Sequence, residues 1–185
     1  MLTPPEFVAA CRACVARGEG PDAIAAVMRE ALQAQSREPD PWRTDELLFR
    51  DAGLLVVNLT LPADAQSAIH DHGTWAVVGV STGREVERFY TQGPGGLEAS
   101  GEVVLAPGEP LVLAPDTIHD IANPDATEAR GLHVYGKDLV TAARRMWDPT
   151  TGQPMAFDYA TFNAWEQALT AKARAQRGRP NSCAQ

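Results

Sequence analysis

The chain changes its hydrophobic period twice. Over residues 5–17 the apolar positions return every three or four residues, with Phe7, Ala10, Cys11, Cys14 and Val15 on one stripe. That spacing predicts a helix, broken by Gly18, Gly20 and Pro21. A second helix is expected from about Asp22, where Ile24, Val27, Met28, Ala31 and Leu32 repeat the pattern until Pro39 and Pro41 stop it. Both helices are expected to pack outside whatever follows. From about residue 44 the texture becomes short apolar runs, among them Leu54–Leu59, Trp75–Val80 and Leu111–Leu113. These are separated by turn clusters such as Ser81-Thr82-Gly83, Gly93-Pro94-Gly95-Gly96 and Pro107-Gly108. Short β-branched runs with a turn about every ten residues predict strands in a sandwich or small barrel. A closing helix is expected over about 158–176, with Phe162, Trp165, Ala168 and Leu169 inward.

The 185 residues suffice for one well-buried core and are few for two. The reading is a single domain over 1–185: helices in 1–40, a β core in 44–140, a helical extension in 141–176 and a tail in 177–185. A net charge of −8 opposes binding to nucleic acid or to anionic membrane surfaces. No apolar run reaches membrane-spanning length, and the first residues lack a secretory layout, so a cytoplasmic location is expected. The three cysteines suggest no disulfide framework. Cys11 and Cys14 form a C-x-x-C, but inside a helix and with no second pair, and read as packing residues. Oligomeric state does not follow from the sequence.

All four histidines, His70, His72, His119 and His133, fall in the strand-rich middle. On an extended strand His70 and His72 project to one side, and two adjacent imidazoles make half of a metal site. His133 and Tyr135 form a second same-face pair, with Leu132 and Val134 facing the other way.

The spacing His70-x-His72, then Ala76, then Gly83 resembles the first motif of the cupins, with alanine where that motif often has glutamate. Pro115, His119 and Asn123 resemble the second motif, which supplies the third histidine. Within the cupins, the stretch from Ile69 to Val80 is similar to the bacterial thiol dioxygenases, the group of cysteine and 3-mercaptopropionate dioxygenases. His133-x-Tyr135-Gly136 resembles their His-x-Tyr pair. Arg144 falls where mercaptopropionate-type members carry an arginine that grips the substrate carboxylate. The resemblance covers roughly residues 42–150. It implies a mainly β fold, the cupin double-stranded β-helix (a jelly-roll-like barrel), with the helices packed outside. It further implies Fe(II) held by His70, His72 and His119, Tyr135 and His133 as catalytic residues, and Arg144 as the substrate-binding residue.

Three positions depart from that group. Gly131 stands where cysteine dioxygenases have a serine that joins the His–Tyr hydrogen-bond chain. Ala76 lies near the position of the cross-linking cysteine of animal enzymes. Near Asp45 the substrate-marking arginine or glutamine is missing, leaving Arg43 or Arg50 as substitutes.

Neutral imidazoles suit Fe(II), and a facial set leaves positions for substrate and oxygen. With no carboxylate at position 76, the full +2 charge is expected to remain and to favour a thiolate. The resemblance thus implies an enzyme that uses O2 to oxidise a small carboxylate-bearing thiol (3-mercaptopropionate, mercaptosuccinate or cysteine) to its sulfinate. Two alternatives stay open: a three-histidine cupin dioxygenase cleaving C–C bonds, and a non-enzymatic metal-binding cupin module.

Overall fold

The computed structural model describes residues 2–35 and 47–177. Arg43 and Asp45 lie outside the described residues. The first helix, α1 (Pro4–Ala16), opens with two prolines, and the Glu6 carboxylate accepts from the Thr3 amide and hydroxyl, both at 2.8 Å. The second, α2, runs Pro21–Gln35. Phe7, Cys11, Cys14, Ile24, Met28, Ala31 and Leu32 are buried as the periodicity requires, whereas Val15 stays 36% exposed. Burial pushes the Cys11 thiol up to about 12 and raises Cys14 as well, so both remain thiols and act as packing groups.

Ten strands follow. The first sheet contains β1 (Leu47–Arg50), β2 (Leu55–Leu61), β3 (Ala76–Thr82), β6 (Pro110–Leu113) and β8 (Ala129–Tyr135), in the order β1-β2-β8-β3-β6, all antiparallel. The second contains β4 (Glu85–Gly93), β5 (Gly96–Leu105) and β7 (Ile118–Ala122), in the order β5-β4-β7. An irregular extended stretch carries this sheet further. Ser67 N bonds to Ile121 O, and His70 exchanges both backbone bonds with His119. On its other side, Asp71 N bonds to Arg145 O and Trp147 N to Ile69 O. The sheet therefore continues through residues 66–71 into β9 (Arg145–Trp147) and β10 (Pro154–Ala156). The β core does not stop at residue 140 but reaches Ala156.

The two sheets face each other. Ala76, Val78, Val80 and Leu113 from the first close on Leu105 and Phe89 from the second. The other face of the first sheet, Leu54, Val56, Val77, Leu132 and Val134, is covered by α1 and α2. This is the mainly β double-stranded β-helix, with helices outside, that the resemblance implies.

The last helix, α3 (Tyr159–Arg177), departs from expectation, because none of its residues is buried. Phe162, Trp165 and Leu169 are half-buried, and Ala168 is exposed. It lies across the barrel edge near residues 63–66, held by polar contacts: Gln66 N to Thr170 Oγ1 at 3.1 Å and Arg177 Nε to Asp64 at 2.5 Å. A helix laid over an edge covers less apolar surface than one laid over a sheet. Among the described residues, no helix is long and apolar enough to cross a membrane.

Candidate metal centre

His70 lies on the extended stretch 66–71, His72 just beyond it, and His119 on β7; the ladder His70–His119 fixes their register. All three are buried, and their ligand atoms lie within 4.8 Å of one another. Ring centroids are 4.5 Å apart for His70–His119, 4.7 Å for His72–His119 and 5.0 Å for His70–His72. No carboxylate belongs to the group, and Ala76 is fully buried on the barrel face of β3.

Hydrogen bonds assign the nitrogens. His70 Nδ1 donates to Ala68 O at 3.0 Å and His119 Nδ1 to Glu87 Oε2 at 2.6 Å, which leaves each Nε2 with a lone pair. His119 Nε2 and His72 Nε2 stand 3.3 Å apart. His72 Nδ1 is buried without a hydrogen-bond partner, and two lone pairs facing each other at 3.3 Å would repel unless a cation or a proton lay between them. Nitrogens each about 2.1 Å from one ion would be separated this way at an angle between 90° and tetrahedral. Burial, and then the neighbouring histidines, hold His70 and His72 well below the usual imidazole range, so both are neutral ligands at pH 7. These residues fit a divalent ion.

Behind the third imidazole the structure corrects the sequence reading. Glu85 and Glu87, both on the inward face of β4, are essentially solvent-free. Against the expectation of an undiminished +2 charge, the Glu87 carboxyl touches His119 directly. Burial raises Glu87 despite His119, and its carboxyl lies within hydrogen-bonding reach of Glu85. Oε1 of each has no other partner, so one proton between them satisfies both atoms. In sequence, Glu85-Val86-Glu87-Arg88 is indistinguishable from a solvated strand. The available signal was strict alternation after the Gly83 turn, with Glu85, Glu87 and Phe89 on one face.

His133 and Tyr135 line the same interior from β8. His133 Nδ1 is 3.2 Å from Tyr135 Oη, and its Nε2 is 3.4 Å from Glu85 Oε2. Burial opposes charge on His133, but the charge and hydrogen bond of Glu85 outweigh it and raise the imidazole above its ordinary value. Glu85 shows the mirror effect: burial raises it, His133 lowers it, and the net shift is down. Burial also raises the Tyr135 phenol, which stays protonated, and its ring lies 4.9 Å from that of His72.

Of the two adjacent arginines, Arg144 turns inward and is 9% exposed, while Arg145 turns out and pairs with Asp71 at 2.8 Å. Arg144 stacks on Phe157 at 3.3 Å and donates to Tyr159 Oη at 2.9 Å, and its Nε is buried without a partner. Its charge reaches His70 and His72. Gly73 permits this approach: its φ is +61°, and a Cβ there would lie 2.2 Å from Ala143 O. Phe157 and Phe162 add an aromatic roof, with Phe162 against His70 at 5.1 Å.

Other expected residues lie elsewhere. Arg50 is bound to Asp138 by two bonds of 2.9 Å. Asn123 holds a turn through Leu61, Pro62 and Thr127 carbonyls, and Pro115 O accepts from Gly73 N. Trp75 packs with the helix-side core, not the site. A surface cleft bounded by Asp71, Pro115, Arg144 and Met155 contains none of the three histidines.

No family model matches the chain, and no curated protein matches it. Solved structures similar to parts of it include a cupin superfamily protein of Desulfitobacterium hafniense, 14% identical over 50% of this chain and 74% of that one, with a TM-score of 0.41. Another is an RmlC-like cupin family protein with a double-stranded β-helix fold from Methanocaldococcus jannaschii, 12% identical over 52% and 82%, with a TM-score of 0.43. A third is a recombinant oxalate oxidase in complex with glycolate, 17% identical over 46% of this chain, with a TM-score of 0.40. The chain spans only 42% of that oxidase's length.

Proposed function

We propose that the protein is a non-haem Fe(II) thiol dioxygenase acting on a small thiol that bears a carboxylate. One observation carries this reading: three buried imidazoles converge without a carboxylate among them, beside one buried arginine whose Nε has no partner. Fe(II) held by His70, His72 and His119 would supply dioxygen activation and favour the substrate's sulfur as a thiolate.

The chain's own residues do the rest. Arg144, already desolvated against Phe157, pairs with the substrate carboxylate and so fixes the distance from that group to the sulfur. Phe157 and Phe162 keep bulk water from the histidines. Tyr135 offers a hydroxyl donor close to His72. The net change is R–SH + O2 to R–SO2H: the O–O and S–H bonds break, two S–O bonds form, and the proton leaves to the sulfinate or to solvent.

Arg144→Ala tests the substrate assignment. KM for 3-mercaptopropionate should rise about 100-fold, the loss of a charge-assisted bidentate pair, while that for cysteamine, which has no carboxylate, stays within about twofold. Equal effects on both thiols would remove Arg144 from substrate binding.

A further inference from the structure

Gly131 precedes His133 and Tyr135 on the same face of β8, where a serine would extend their hydrogen-bond chain. This fold has no room for one, since a Cβ at position 131 would lie 2.4 Å from Gly79 O on the paired strand β3. The far nitrogen of His133 is nonetheless partnered. Glu85, from the opposite sheet, places Oε2 3.4 Å from Nε2, with both side chains almost fully buried. No notable likeness to a surface ion pair survives at 4% and 3% side-chain exposure.

We propose that Glu85 is the positioning residue that directs the Tyr135 hydroxyl. Its carboxylate holds His133 as an imidazolium, so that Nδ1 donates to the tyrosine oxygen and the phenolic O–H is left to donate into the metal centre. With a neutral His133 the polarity reverses. Nε2 would keep its proton toward Glu85, Nδ1 would accept from Tyr135, and the hydroxyl would be turned away from the histidines. A buried anion at 3.4 Å selects the first arrangement, because an imidazole stripped of water needs a compensating charge to stay protonated. The groups facing His133 bear this out. Glu85 and Glu87 approach from β4 and favour the charge, Val57 and Val78 flank it in register from β2 and β3, and Tyr135 lies beside it. His70 and His72 sense its charge across the interior and oppose it. The consequence for turnover rests on the function proposed above; the state of His133 does not.

The test uses the full chain labelled with 15N-histidine and loaded with zinc, which keeps the three ligand imidazoles from titrating. His133→Phe identifies the remaining ring. At pH 7 the wild-type His133 should show two protonated nitrogens, and Glu85→Gln should lower its midpoint by at least about one pH unit, a tenfold change in its proton equilibrium. In the iron-loaded protein the same variant should lower kcat about 10- to 100-fold, with KM within about twofold and iron content unchanged. Glu85→Asp should recover part of that loss. A wild-type His133 that is neutral at pH 7, or a midpoint indifferent to Glu85→Gln, would overturn the inference. If the wild type oxidises no thiol, the proposed function fails while the nitrogen spectra still decide the role of Glu85.

Discussion

The two faces of β8 lie a side chain apart and follow opposite rules. Toward the helices, Leu132 and Val134 are fully buried among Phe7, Met28, Leu32, Val56 and Val77, with the neutral, buried Asn58 in register opposite Leu132. Toward the barrel, His133 and Tyr135 look onto two buried glutamates and three histidines. Strand alternation alone separates the two environments. Apolar burial on the outer face stabilises the fold, whereas the inner face keeps charged and orphaned groups that a packing core would exclude. The difference teaches that this barrel is stable enough on one side of its sheet to tolerate chemistry on the other.

Substitutions can break that division. The largest effect belongs to the inner face: His119→Ala should abolish stoichiometric metal binding, read by elemental analysis, while the far-ultraviolet spectrum stays native. Next comes the outer face. Leu132→Ala should lower unfolding stability by about 2–5 kcal/mol in denaturant titration and leave metal content untouched. Loss of metal in that variant would show that the two faces are not independent. Smaller still, Glu87→Ala removes the acceptor for His119 Nδ1–H and should weaken metal affinity about 10- to 100-fold in a chelator competition.

The smallest effect is a pH dependence of the metal-free chain. The folded state holds His70 and His72 below their ordinary value, so below about pH 6.5 the unfolded chain takes up protons that the folded one refuses. Stability should therefore fall with decreasing pH, by up to about 1.4 kcal/mol per pH unit for each such histidine. His133 works in the opposite sense. Its raised value contributes stability that is fully present below about pH 6.5 and is lost as pH rises through its folded value. Bound metal should suppress the first dependence, and denaturant midpoints across pH would record both.

Much of this was legible in the chain. Periodicity exposed α1 and α2, apolar runs exposed β2, β3 and β6, and the alternation about His133 and Tyr135 exposed β8. Histidine spacing brought out the three residues that converge. The parts that escaped share a cause: their neighbours are supplied by tertiary pairing. Residues 66–71 pair on both sides without regular strand periodicity, and β4 turns charged residues inward. Nothing in Arg144-Arg145 says which side chain enters, since that depends on Gly73 letting the Ala143 backbone come close. The Phe157–Phe162 roof is likewise invisible until α3 crosses the barrel edge.

The central claim is that the histidine centre oxidises thiol sulfur with both atoms of dioxygen. It is tested most directly by an oxygen electrode coupled to product analysis, with iron-loaded protein and 3-mercaptopropionate. The account predicts oxygen uptake that depends on Fe(II) and yields about one sulfinate for each O2 consumed, in keeping with a dioxygenase. Uptake that yields disulfide or hydrogen peroxide, or no uptake from an iron-replete protein, would contradict it.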